Sequence, residues 1–199
     1  MLSVVLATPR TGSNTFVQQL DAEIWMPDHH PCYRRHHEYF NFGSPTPEII
    51  QHRLSVKYYE ILRTYLSENP QHHISVKVLL GQAPLHIIKH LITSADFLYN
   101  TVRTDYKAQL KSYVAALKTL TWLEGRRSYN YDSVTQEHVD MCHKLLSDRI
   151  KQHSDLYKKY GGEIVVLENR HYSPYPNKPE FSDRLVWPDF CTRNLFDIT

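Results

Sequence analysis

An apolar run that stops abruptly in a polar, glycine-containing loop is the feature that most limits how this chain can fold. Val4-Val5-Leu6-Ala7 gives way to Thr8-Pro9-Arg10-Thr11-Gly12-Ser13-Asn14-Thr15, and a short amphipathic segment, Phe16 to Leu20, follows. The pattern reads as a buried strand, a tight loop and the first turn of a helix. Such a junction turns several backbone N–H groups toward one spot and adds the positive end of a helix dipole. Arg10 brings a planar charge, and Gly12 lets the backbone turn sharply or approach a ligand closely. Ser13, Asn14 and Thr15 bring side-chain donors. An anionic group, phosphate or sulfate, suits all of these, although the same pattern also opens ordinary α/β domains. The generic ATPase loop GxxxxGK[ST] is not met, because no Lys follows Gly12.

Further along, apolar strands alternate with helical patterns. Thr46 and Pro47 form a helix start, followed by Ile50, Leu54, Tyr58, Ile61, Leu62 and Tyr65 at helical spacing until Asn69-Pro70. Ile74 to Leu80 predicts a second buried strand with Lys77 inside it. Pro84 to Ile92 reads as a short helix and Phe97 to Val102 as a third strand, ending at Arg103. Asp105 to about Trp122 is helical, with Leu110, Val114 and Leu117 as its apolar stripe. Asp105, Gln109 and Ser112 share its polar face. Ser133-Val134-Thr135-Gln136 has the form of a capping box. It opens a long helix that ends at Gly161-Gly162, before a fourth strand, Glu163 to Leu167. Continuous apolar strands separated by helices imply a parallel sheet covered on both faces. Ligands in such sheets sit at the carboxyl ends of strands, where Arg10 and Arg103 both fall.

The 199 residues, 41% of them hydrophobic, fit a single domain over 1–199. Residues 21–46 form an irregular, substrate-side segment, and 169–199 an extended tail. Without a run of about 18 apolar residues, no membrane span is expected. No signal peptide is expected either. Three cysteines, Cys32, Cys142 and Cys191, have no close-spaced framework, so a reduced, cytoplasmic setting is the simpler expectation. A net charge of +2 is too small for a general nucleic-acid binder. The 14 tyrosines and 13 histidines could line a polar ligand cleft, although composition cannot place them there.

Taken together, two of these segments resemble a known family. Thr8 to Thr15 is similar to the 5′-phosphosulfate loop of sulfotransferases. Val102-Arg103-Thr104-Asp105, with Gln109 and Ser112-Tyr113 after it, is similar to their 3′-phosphate motif. The resemblance is in particular to the bacterial trehalose sulfotransferase-like branch. That branch carries Arg in the loop, as Arg10 is here, a Glu-aromatic-Phe tripeptide like Glu38-Tyr39-Phe40, and a strand Lys like Lys77. The likeness covers roughly residues 3–40 and 74–122, and Val166-Leu167-Glu168 loosely fits the last strand. Asn14 stands where Ser or Thr is more usual, and no clear C-terminal Arg-Lys-Gly motif is present. Arg126, Arg127 or Arg170 could stand in for it.

The resemblance implies a P-loop-like sulfotransferase fold and a co-substrate, 3′-phosphoadenosine 5′-phosphosulfate (PAPS), with 3′,5′-ADP (PAP) as product. It implies cofactor contacts from Arg10, Thr11, Gly12, Ser13, Asn14, Thr15, Arg103 and Ser112. It implies Glu38 as general base, Arg10 stabilising the leaving oxygen and Lys77 neutralising the sulfuryl oxygens. The acceptor would be a hydroxyl of a carbohydrate or other small molecule, and a homodimer stays open. No metal is expected.

Plainer roles exist for each residue. Arg10 could be a solvated loop charge, and Arg103 with Ser112 a surface pair. Glu38 could pair with Arg34 or Arg35, and Lys77 could be an edge-strand charge that deters aggregation. Three rival functions follow. Asp28, His29, His30, Cys32, His36 and His37 are chemically suitable metal ligands, but they crowd one stretch rather than forming spaced couples. A P-loop kinase would need the missing loop Lys and an acidic Mg²⁺ ligand. A non-catalytic domain of the same fold would bind PAP without turnover.

Overall fold

In the computed structural model, the described residues are 1–23, 27, 38–40, 48–119, 131–167 and 181–198. The metal-ligand candidates at 28–37, Arg34, Arg35, Thr46, Pro47, Arg126, Arg127, Glu168 and Arg170 lie outside them.

Four strands, β1 (Leu2–Ala7), β2 (Ile74–Leu79), β3 (Phe97–Val102) and β4 (Glu163–Val166), form one all-parallel sheet in the order β2-β1-β3-β4. Parallel strands need long return connections, and helices supply them: α1 (Ser13–Val17) and α2 (Glu48–Glu68) precede β2, α3 (Leu85–Ser94) precedes β3, and α4 (Tyr106–Thr119) and α5 (Gln136–Tyr160) precede β4. A last turn, α6 (Thr192–Leu195), follows β4. β1 is central, and all six of its residues are buried, as its unbroken apolar run requires.

The described helices do not share the two faces evenly. Leu2, Val4 and Leu6 of β1 pack with Ile74, Val76 and Val78 of β2 against Tyr58 and Leu62 of α2 and Ile87, Ile88 and Leu91 of α3. Leu6 is in register with Asn100, so Val102, two residues on, points to this same face. There it meets Leu110 and Val114 of α4 and Val139, Leu146 and Ile150 of α5. Four long helices therefore cover one face. Among the described residues, the other face is covered by Phe16 and Val17 of the five-residue α1, packed on Val5 and Val165.

Local signals account for most element ends. The Asp105 carboxylate accepts the Ala108 N–H at 3.0 Å, which caps α4. The cap of α5 is set two residues later than the Ser133–Gln136 box predicts: Thr135 is the N-cap, and its N–H donates to His138 Nδ1 at 3.0 Å. Gln136 is used elsewhere, its amide pairing both ways with the Val186 backbone at 2.9 Å. Gly161 ends α5 with φ +73°, its N–H donating to Tyr157 at 2.7 Å. Near the C-terminal end, Phe196 is 1% exposed, within the core formed by α4 and α5.

Two described residues before α2 bridge to the sheet. Glu23 bridges Ile74 and Glu38 bridges Lys77, both in parallel sense, along the outer side of β2. β2 is thus partly covered where an edge strand would expose its backbone groups.

Candidate functional site

The order β2-β1-β3-β4 makes the junction between β1 and β3 a switch point, since the chain leaves β1 toward β2 on one side and later places β3 on the other. Crevices beyond the carboxyl ends of strands open at such points in α/β sheets. Arg10 follows β1 and Arg103 follows β3, so both predicted anion-binding arginines flank this junction.

The loop after β1 is shaped by two residues with positive φ, Arg10 at +65° and Gly12 at +88°. Glycine takes that conformation freely, whereas for Arg10 it costs about 1 kcal/mol. Side-chain bonds hold the loop in this form. Gln109, 1% exposed on α4, donates Nε2 to Thr8 Oγ1 at 3.0 Å and to the Pro9 carbonyl at 2.7 Å. The Thr11 hydroxyl donates to the Thr8 carbonyl at 3.1 Å. Thr15 N–H donates to Gly12 at 3.1 Å as α1 begins.

Arg10 Nε donates to Ser112 Oγ at 2.8 Å, joining positions 102 residues apart. The loop after β1 and the helix after β3, each recognised separately in the sequence, thus meet through their own side chains. Arg103 differs. Its Nε is buried without a hydrogen-bond partner among the described residues. A buried guanidinium donor left unpaired is costly, and an anion at the end of β3 would satisfy it.

A second polar group lies on the α1 side of the sheet. Lys77, 1% exposed, donates to Asn14 Oδ1 on α1 and to Glu38 Oε1 at 3.0 Å. Glu38 is itself 8% exposed. Its other oxygen accepts Gln82 Nε2 at 2.5 Å. Two donors on two oxygens suit an ionised carboxylate, which is an acceptor only. Lys77 therefore does not serve as an exposed edge-strand charge; it is a buried ion-pair member. Asn14 is explained as well, because its amide oxygen meets the ammonium, whereas the shorter Ser or Thr side chain would have to reach farther.

The predicted residues therefore fall into two groups: Arg10, Thr11, Gly12, Ser13, Thr15, Arg103 and Ser112 around the β1/β3 junction, and Glu38 with Lys77 beside β2. Asn14 belongs to both. Sequence reasoning missed Gln82. Its signal was slight: a glutamine just after Gly81, in the turn that ends β2.

Among the described residues, no three His, Cys, Asp or Glu side chains are arranged to hold a metal ion. Among the same residues, no helix is long and apolar enough to cross a membrane. No family model matches the chain, and neither curated proteins nor solved structures provide a match.

Proposed function

We propose that this chain is a PAPS-dependent sulfotransferase of P-loop-like fold, transferring a sulfuryl group to a hydroxyl of a carbohydrate or other small-molecule acceptor. The observation that carries the reading is the 2.8 Å bond from Arg10 to Ser112, which brings a phosphosulfate-type loop and a 3′-phosphate-type helix to one place. The buried Nε of Arg103, without a hydrogen-bond partner among the described residues, fits the same ligand, since a phosphate at the end of β3 would supply an acceptor.

When bound, PAPS supplies the sulfuryl group, its bond from sulfur to the bridging phosphate oxygen breaking as the acceptor oxygen bonds to sulfur. Arg10, the N–H groups of Thr11 to Asn14 and Thr15 hold the phosphosulfate and stabilise charge on the departing phosphate oxygen. Arg103 and Ser112 hold the 3′-phosphate, which orients the nucleotide from its far end. Glu38 takes the proton of the acceptor hydroxyl. Lys77 balances charge on the sulfuryl oxygens from its place between Asn14 and Glu38.

Titration calorimetry with PAP, in buffer without Mg²⁺, tests this reading on wild type, Arg10→Ala and Arg103→Ala. Micromolar binding to wild type, weakened about 10- to 100-fold in each variant, is expected for the loss of a charge-assisted contact. A folded wild type that does not bind PAP overturns the reading. Binding that requires Mg²⁺ turns it toward a kinase. PAP binding without transfer to any acceptor identifies a non-catalytic domain.

A further inference from the structure

Glu38 is not positioned by Lys77 alone. Its Oε2 accepts Gln82 Nε2 at 2.5 Å, while Gln82 Oε1 accepts the Leu79 N–H at 3.3 Å. The opposite amide orientation would set two oxygens against each other at Glu38 and two N–H donors against each other at Leu79. Only the observed orientation satisfies both neighbours. Gln82 is itself fixed by its backbone. Its N–H donates to the Leu79 carbonyl at 3.0 Å, closing the turn after β2. Its carbonyl accepts Gln51 Nε2 from α2.

A continuous polar line results. It runs from α2 through Gln51 and Gln82 to Glu38, then through Lys77 to Asn14 on α1. The carboxylate is clamped from both sides, one oxygen by a cation and the other by a neutral donor. Two donors on its two oxygens limit the rotation of the carboxylate.

We infer that Gln82 is a positioning residue, holding the Glu38 carboxylate in one orientation and in its ionised form; the inference rests on Glu38 being the base of the proposed transfer. The charged partner of Glu38 among the described residues is Lys77 on β2, and Gln82 adds a donor without adding charge. That choice matters. An apolar residue at 82 would leave Oε2 without this partner. A carboxylate at 82 would compete with Glu38 for Lys77.

The test needs no acceptor substrate. Protein carrying ¹³C at glutamate Cδ reports the Glu38 carboxyl directly by NMR, its signal assigned by its loss in Glu38→Gln. Gln82→Glu keeps the side-chain shape and the acceptor for Leu79 N–H but turns the donor at Glu38 into an acceptor. Its Glu38 midpoint should rise by at least about one pH unit, as expected for two carboxylates sharing one cation. Gln82→Met, which only removes the donor, should raise it by less, in the same direction. Amide ¹H–¹⁵N spectra of both variants establish that each is folded. Should Gln82→Glu fail to fold, Gln82→Met carries the test. A Glu38 midpoint unchanged in the folded variants overturns the positioning role. A wild type that does not bind PAP removes the sulfotransferase reading by a separate route, so the two failures are distinguishable.

Discussion

Lys77 Nζ lies 3.0 Å from Glu38 Oε1, and the two side chains are 1% and 10% exposed. The pair adds a side-chain contact to the backbone bridge between Glu38 and Lys77 on β2. A buried pair of this kind owes little of its value to simple attraction, because both charges are taken out of water. Its importance appears when one member is lost.

Lys77→Met should therefore destabilise the fold by about 3–5 kcal/mol, because it leaves the Glu38 carboxylate buried without its cation. Lys77→Met combined with Glu38→Gln should lie closer to wild type than Lys77→Met alone, since no uncompensated charge remains. Urea unfolding of the four proteins measures the coupling as a double-mutant cycle. Independent, additive effects would mean that the contact is not energetically coupled.

Arg10 offers a way to separate backbone strain from binding. Its φ of +65° is unfavourable for any residue with a Cβ. Arg10→Gly should be more stable than Arg10→Ala by about 1 kcal/mol. Both remove the guanidinium and its bond to Ser112, so both should lose PAP affinity to the same extent. Chemical denaturation and calorimetry on the two variants give the comparison. Equal stability would show that the loop relaxes its backbone once the side chain is gone.

How much of this could be read in advance follows the range of each interaction. The strands were legible because their signal is local: Ile74 to Leu80 and Phe97 to Val102 are apolar runs, and they became β2 and β3 with ends shifted by no more than one residue. Topology placed Arg10 and Arg103 at neighbouring strand ends, but it did not show the bond from Arg10 to Ser112, which lies within α4. That α2 to α5 share one face of the sheet was not legible. An amphipathic pattern says that α2 buries a stripe, not which face of the sheet receives it. The α5 cap moved to Thr135 because a His ring nitrogen can accept the N–H that the box pattern assigns to Glu or Gln. Gln82 was missed because a turn glutamine is ordinary in sequence and becomes informative only when Glu38 is beside it.

The C-terminal part tests how far an apparently irregular segment can be structural. Phe196 sits with ring centroids 5.0 Å from His153 and 5.8 Å from Tyr157, and Ser154 donates its hydroxyl to the Leu195 carbonyl at 2.6 Å. Phe196→Ala should cost about 3–5 kcal/mol, in the range for a buried aromatic in a well-packed core. Thermal or urea unfolding checks it. A loss below about 1 kcal/mol would mean that the segment docks on α5 without contributing to the core.

His153 makes the fold sensitive to acid. It is 1% exposed on α5, its Nε2 3.2 Å from Asn100 Oδ1. Asn100 in turn donates Nδ2 to the Gly161 carbonyl at 3.1 Å. With its amide nitrogen so engaged, Asn100 presents an oxygen to the ring, so Nε2 is the protonated nitrogen of a neutral imidazole. Burial disfavours the charged ring and pushes the His153 pKa down from 6.5 to about 3. Between those values the unfolded chain binds a proton that the folded chain does not. The stability associated with neutral His153 is therefore present above about pH 6.5 and is lost as pH falls toward about 3. The slope should reach at most about 1.4 kcal/mol per pH unit. His153→Gln keeps an amide donor for Asn100 and does not titrate. Urea unfolding from about pH 7 to pH 4 should show a shallower acid loss in the variant, the difference approaching one proton. Parallel curves for the two proteins would mean that His153 protonates in the folded state with little penalty, through local opening of α5 near the Phe196 contact.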